Sequence, residues 1–341
     1  MRCSDMKRVL VTIPQNAVLE TFFPAAVREK LEASFEAEYN TTERQFSKDE
    51  LREKLRNFDA VMTGWGTPML DETVLGGSDR LRLIVHTGGT VGNLVDAYAY
   101  DHGFRVFSGN RLYAESVAEG TIAYMLMAQR RLPCYIDRVR SGAWRTEADI
   151  WEGLLDKSVG IVGMGTISMF LIRMLQAFRV KIKVFSHYPL PEEFVRDYHC
   201  VQAGLEEVFS GCDIVSVHSA LNEQNRGLIR KEHFDLLKDG ALFINTSRGD
   251  VIDEDALIDA LRENRFRAVL DVYRKEPLGA DSPLRSMPNV LPVPHMAGPT
   301  LDRRPLITSA LIEEMIRYFS GETAFELEIS KQLAARMTKM K

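Results

Sequence analysis

VGIVGMGTISMFLIRML, residues 159–175, decides how the chain is read. An apolar, β-branched run ends in Gly163. Gly165 follows two places on, and an apolar stretch with helical spacing begins at once. Gly163 and Gly165 stand where G-x-G-x-x-G needs its first two glycines, with Ser168 in the third place. In that reading Gly163 lets the backbone turn sharply and Gly165 lets it approach a pyrophosphate. The N–H groups of Thr166 and Ile167 then point from a helix start toward the anion. Ser168 adds one hydroxymethyl group where strand and helix come close, and it does not touch the phosphate. By itself the stretch is as compatible with a plain turn between strand and helix as with a dinucleotide site.

The flanking sequence supplies the context. From SVGIVG onward, strand and helix patterns alternate: TISMFLIRMLQAF, VKIKVFS, LEEVFSG, DIVSVH, ALFINT, a helix over 253–262, AVLDV and NVLPVP. Apolar strands without clean alternation indicate burial on both faces, as in a doubly wound parallel sheet. The first hundred residues repeat the theme on a smaller scale. KRVLVTI, DAVMTG, LRLIVHT and FRVFS read as short strands, PAAVREKLEASF as a helix, and SKDELREKLRNF as a helix opened by a Ser47/Glu50 capping box. A long helical pattern covers about 114–131 until Pro133 interrupts it, and PLITSALIEEMIRYFSG forms a last helix ending at Gly321. The basic stretch KQLAARMTKMK reads as a solvated end.

Composition bounds the function. A chain of 341 residues suits about two domains, and 45% hydrophobic with 27% charged residues is a globular balance. A net charge of −5 argues against a sequence-independent nucleic-acid binder. The five-residue stretch VLVTI before Pro14 is too short for a signal core or a membrane span, so a cytoplasmic protein without a membrane partner is expected. Cys3, Cys134, Cys200 and Cys212 show no metal-ligand or disulfide pattern and read as reduced thiols; no metal is expected.

Three more features lie beyond strand ends. In INTSRGDVIDEDAL, Arg248 falls in the loop between a strand and a helix, where a guanidinium fork suits a carboxylate; the bland alternative is a surface pair with Asp250. Glu276 in LDVYRKEPL and His295 in NVLPVPHMAGPT each follow a strand. A histidine touching a carboxylate is held in one tautomer and can exchange a proton near neutral pH. Each feature is weak alone. Phosphate turn, arginine, glutamate and histidine in that order, all at carboxyl edges of one α/β unit, are not coincidence.

These stretches, together with DIVSVHSALNEQNRGLI and RLYAESVAEGTIAYML, are similar to the D-isomer-specific 2-hydroxyacid dehydrogenases over most of residues 110–300. The resemblance implies a Rossmann-type doubly wound sheet, residues 110–301, inserted into a smaller flavodoxin-like α/β substrate domain made of residues 1–109 and 302–341. It implies that Arg248 orients the substrate carboxylate and keto oxygen, that Glu276 partners the catalytic His295, and that Asp271 holds the nicotinamide carboxamide. His218 and Thr246 join Gly163, Gly165, Thr166, Ile167, Ser186 and His187 as expected cofactor contacts. LIVHTGGTVGNLVD occupies the substrate-loop position, so backbone amides between Thr87 and Val91, namely those of Gly88, Gly89, Thr90 and Val91, are expected on the substrate carboxylate. Trp65 in TGWGTP is expected either in the pocket or in the core. Ala220 replaces a proline frequent in the family, and Val91 and Asn93 depart from its loop pattern, so the substrate is not named by analogy.

The expected activity is interconversion of a 2-oxo acid and a D-2-hydroxy acid with a nicotinamide cofactor. Two alternatives stand beside it: a dinucleotide-binding sensor resembling corepressors, and oxidation of formate- or phosphite-like oxyacids. Ser186 lies 23 residues after Gly163, where an acidic residue would select NAD, so weak discrimination between NAD and NADP is expected; Glu192 or Glu193 is the alternative ribose partner. A homodimer is expected through Ile122, Met125 and Leu126 and an arm bearing Trp144 and Trp151.

Overall fold

The computed structural model describes residues 6–338. The chain forms two compact units, one comprising residues up to Tyr113 with those from Pro299 onward, the other Ala114–Gly298. Cys3 and the last three residues lie outside the described residues.

The first unit carries five parallel strands: β1 (Arg8–Val11), β2 (Glu36–Tyr39), β3 (Ala60–Thr63), β4 (Leu83–His86) and β5 (Arg105–Ser108), in the order β2-β1-β3-β4-β5. This is the flavodoxin-like order. β3 and β4 are buried throughout, in keeping with their continuous apolar sequence. The helix Lys48–Leu55 opens with the Ser47/Glu50 capping box that its sequence predicts. The helix Arg304–Phe319 returns from the far end of the chain and buries Ile307, Leu311, Ile312 and Met315 against Val9, Phe22 and Phe107.

The second unit has seven parallel strands: β6 (Ser158–Val162), β7 (Lys181–Phe185), β8 (Val201–Gln202), β9 (Ile214–Val217), β10 (Leu242–Asn245), β11 (Arg267–Leu270) and β12 (Val290–Pro292), in the order β12-β11-β10-β9-β6-β7-β8. The chain winds outward in both directions from β6. The topological switch point therefore lies between the carboxyl ends of β6 and β9, where Val162 stands opposite Val217.

Several elements differ from the sequence reading. A short helix, Ala17–Phe22, precedes the one beginning at Ala25; Asn16 caps it through its side chain. The long helix runs Asn110–Gln129, and a second, Leu132–Arg140, resumes behind a left-handed Arg131, with Pro133 in its first turn where a missing N–H costs nothing. The basic tail is not simply solvated: Lys331–Arg336 is helical, Ser330 caps it, Lys331 pairs with Asp101 at 2.6 Å, and Ala334 and Met337 pack into the core around β4. Cys200 and Cys212 are buried with thiol pKa values pushed up to about 11 by desolvation, while Cys134 is exposed. Among the described residues no helix is long and apolar enough to cross a membrane, and no group of three metal-ligating side chains exists.

Candidate active site

The turn after β6 is built for close approach. Gly163 has φ +102°, and a Cβ there would lie 2.8 Å from Ser219 Oγ, so only glycine fits both the conformation and the gap to the β9 loop. A Cβ on Gly165 would meet nothing within 4 Å, so the backbone there is open to an incoming group. No side chain caps the helix Thr166–Leu175, which leaves the amides of Thr166 and Ile167 directed at that space. These features fit a pyrophosphate. Ser168 is fully buried, and its hydroxyl donates to the Gly163 carbonyl at 2.7 Å. The third-glycine position thus fastens the helix to the turn it follows.

Arg248 is set by a turn that Asn245 organises. Its Oδ1 accepts from Ser247 N–H and Oγ at 3.0 and 2.8 Å, and its Nδ2 donates to the Arg248 carbonyl. The Arg248 side chain is largely enclosed rather than on the surface, and Asp250 pairs with Arg226 instead. Arg248 Nη1 donates to the Ser247 carbonyl at 2.6 Å, while Nε is buried without a partner among the described residues. Burial lowers its pKa, and the negative charge of Glu276 opposes that shift. Gly249 then passes so near the Tyr273–Arg274 peptide that a Cβ would stand 2.0 Å from the Tyr273 carbonyl carbon. This contact joins the arginine turn to the turn that carries the glutamate.

Glu276 accepts from Tyr273 N–H through Oε1 (3.0 Å) and meets His295 Nδ1 through Oε2 at 2.7 Å. A carboxylate only accepts, so Nδ1 carries the proton and Nε2 is the nitrogen left to address a substrate. His295 is half-exposed and has φ +50°, a left-handed conformation uncommon for a residue with a side chain. Its loop is fixed from below by Asp271, which accepts from Met296 N–H (2.7 Å), Ala297 N–H (3.2 Å) and Tyr124 Oη (2.9 Å). Asp271 therefore already has a structural load, and Tyr124 and Gly249 are supporting residues that lie within the quoted stretches but were not singled out from sequence. Their contribution comes from tertiary approach.

His218 follows β9. Its Nε2 lies 2.8 Å from Ser216 Oγ and its Nδ1 lies 3.5 Å from Thr246 Oγ1; burial pushes its pKa down to about 4, so it is neutral. At the end of β7, Ser186 Oγ accepts from Tyr188 N–H at 3.1 Å and keeps its own proton to donate. His187 Nε2 meets Asn225 Oδ1 at 2.9 Å. Glu193 is occupied by Arg173 at 2.8 Å.

In the first unit, the loop after β4 holds the expected substrate amides. Thr87 N–H bonds the Thr63 carbonyl and Val91 N–H points at Met337 Sδ, with Val91 itself in the core. Gly88, Gly89 and Thr90 are the amides left without such partners among the described residues. Ser108 Oγ contacts the Gly88 and Gly89 carbonyls at 3.1 and 2.8 Å, orienting both peptides. Trp65 is 46% exposed, so it is not a core residue.

Comparison with known proteins shows the family. The family described as D-isomer specific 2-hydroxyacid dehydrogenase, NAD binding domain, matches residues 122–297, more than half of the chain. The chain is 31% identical over 310 residues to a putative 2-hydroxyacid dehydrogenase, YoaD, of Bacillus subtilis, covering 86% of both chains. It is 29% identical over 280 residues to D-3-phosphoglycerate dehydrogenase of Methanocaldococcus jannaschii, covering 82% of this chain and 53% of that one. The chain thus spans about half the length of the phosphoglycerate dehydrogenases it matches. The crystal structure of TT0316 protein from Thermus thermophilus superposes with a TM-score of 0.73 at 26% identity, over 92% of this chain and 97% of that one.

Proposed function

Because this chain belongs to the D-isomer-specific 2-hydroxyacid dehydrogenase family and carries its NAD-binding domain, we propose that it reduces a 2-oxo acid to the D-2-hydroxy acid. The observation that carries the proposal is the 2.7 Å His295–Glu276 pair together with an arginine whose Nε has no partner among the described residues. A reduced nicotinamide, when bound, supplies the hydride. Arg248 binds the substrate carboxylate and polarises the keto oxygen with the donors that the Ser247 carbonyl leaves it. His295 delivers a proton from Nε2 to the forming alkoxide, while Glu276 holds the tautomer and stabilises the imidazolium before transfer. Within the first unit, the amides of Gly88, Gly89 and Thr90 are the donors proposed to bind substrate. The decisive experiment is a panel of 2-oxo acids, including sugar-derived ones, followed by loss of reduced-cofactor absorbance. Tight cofactor binding without turnover of any of them refutes the enzyme and favours a sensor.

Cofactor choice and assembly belong to the same proposal. Ser186 offers a hydroxyl donor and no negative charge, so NADH and NADPH should serve within roughly tenfold of each other, about 1.4 kcal/mol. Strong NADH selectivity that Ser186→Asp leaves unchanged would show that the ribose is read elsewhere. The arm from 132 to 155 exposes Leu132, Ile136, Val139, Trp144, Ile150 and Trp151, with Trp144 70% accessible. A patch of this kind on one face is best covered by a second copy of the chain. Met125, by contrast, is buried within its own unit and is not available to a partner. Light scattering that gives a concentration-independent monomer mass would refute the dimer.

A further inference from the structure

Among the described residues, two arginines leave a buried Nε without a hydrogen-bond acceptor: Arg248 and Arg304. The second lies in the other unit, at the start of the helix Arg304–Phe319. Other arginines of this unit have carboxylate partners: Arg28 pairs with Glu20, Arg105 with Glu328 and Arg317 with Glu314. Arg304 has none among the described residues. Its guanidinium lies 5.1 Å from the Trp65 ring and 5.4 Å from the Phe22 ring, and Nη1 donates to Thr21 Oγ1 at 3.1 Å. That leaves Nε and Nη2, the side-on edge whose two parallel donors match a planar carboxylate.

A second unsatisfied donor lies in the same cluster. Tyr113 Oη is buried without a partner among the described residues, and burial raises its pKa, so it remains a neutral O–H. Trp65 bridges the group: its ring stands edge-on to Phe22 at 5.3 Å and to Tyr113 at 6.5 Å, and Gln45 Nε2 donates to its carbonyl at 2.7 Å. The cluster adjoins the substrate loop within this unit. The Tyr113 ring packs on Gly89 so closely that a Cβ there would lie 3.3 Å from Tyr113 Cγ. Buried donors are nearly always satisfied, and here the missing partner is an acceptor, next to an unpaired positive charge. A neutral hydroxyl would satisfy one donor but leave the charge uncompensated; a carboxylate does both.

We infer that Arg304, with Tyr113 and Trp65, reads a terminal carboxylate, so that the preferred substrate is a 2-oxo dicarboxylate. This rests on the reduction of 2-oxo acids proposed above. The test compares kcat/KM for 2-oxoglutarate and 2-oxovalerate, which share chain length and differ in their end group. The native enzyme should favour the diacid. Arg304→Gln should cut the diacid-to-monoacid ratio by about tenfold to a hundredfold, the value of a charge-assisted hydrogen-bonded contact. Arg304→Lys, which keeps charge without the fork, should restore part of it. A native preference for the monoacid, or an unchanged ratio in Arg304→Gln, overturns the inference. If Arg304→Gln fails to fold, Tyr113→Phe, which removes only a hydroxyl, should lower the same ratio, and an unchanged ratio there also overturns it. Should neither acid be turned over, the redox reading fails for this pair and binding alone decides. Fluorescence attributable to Trp65, taken as native minus Trp65→Phe, should then respond to glutarate and not to valerate. Equal responses, or none, reject the carboxylate site.

Discussion

At His295 two requirements meet in one side chain. Nδ1 is committed to Glu276 at 2.7 Å, so in the proposed reaction Nε2 is the nitrogen that gives up the proton. Replacing His295 with Asn keeps a residue that tolerates φ +50° while removing the acid. General acid catalysis is typically worth ~10²–10⁴-fold, so kcat should fall by that order with little change in cofactor affinity. Near-normal turnover of His295→Asn would remove it from the proton path. Arg248 answers differently to substitution. Arg248→Lys retains charge but loses the fork, so kcat/KM for the 2-oxo acid should suffer most, and native kinetics in that variant would make Arg248 structural.

At the scale of elements, the site is three strand-end turns held in register by backbone contact. The tightest contact is Gly249 on the Tyr273–Arg274 peptide. Gly249→Ala must push the Arg248 turn away from the Glu276 turn; overpacking of this kind typically costs about 1–3 kcal/mol. We expect a lower melting temperature together with a loss of kcat/KM larger than the stability loss explains. An unchanged melting temperature and activity would mean that the two turns do not depend on this contact. The strand-end residues were legible in sequence because a buried parallel strand followed by Gly, Asn, Asp or His marks a carboxyl edge. The short helix Ala17–Phe22 was not, since Pro14 and Pro24 frame it like a loop and its cap, Asn16, is also a turn residue. Nor was β2, an edge strand whose sequence EAEY carries charge at alternate positions. Tyr124, Gly249 and Arg304 escaped for another reason. Their roles arise from partners far along the chain, and nothing local distinguishes them.

Across the whole molecule, each unit holds one buried, neutral histidine at a strand end. In β4, His86 Nδ1 meets Thr63 Oγ1 at 2.9 Å, and after β9 His218 meets Ser216; burial pushes both down to about 4. In the unfolded chain each imidazole takes up a proton below about 6.5. Between that value and about 4 the unfolded state binds protons that the folded state does not. Stability is therefore complete above about 6.5 and falls as pH drops toward 4, by on the order of 3 kcal/mol per histidine. Melting temperatures recorded from pH 7.5 to 4.5 should decline through that window, and less so in His86→Asn and His218→Asn. A flat profile between pH 7 and 5 would contradict the neutral, buried state of both rings.

The discontinuous first unit also sets an order of events during synthesis. Residues 114–298 are contiguous and can complete their seven-stranded sheet as soon as they leave the ribosome. The five-stranded sheet cannot close, because Ile307, Leu311, Ile312 and Met315 belong to its core and are translated only after the whole second unit. At roughly 5–20 residues per second, the first 113 residues wait about 10–40 s with apolar strand faces uncovered. Nascent chains arrested before the helix Arg304–Phe319 are thus the form of this protein that a chaperone would recognise.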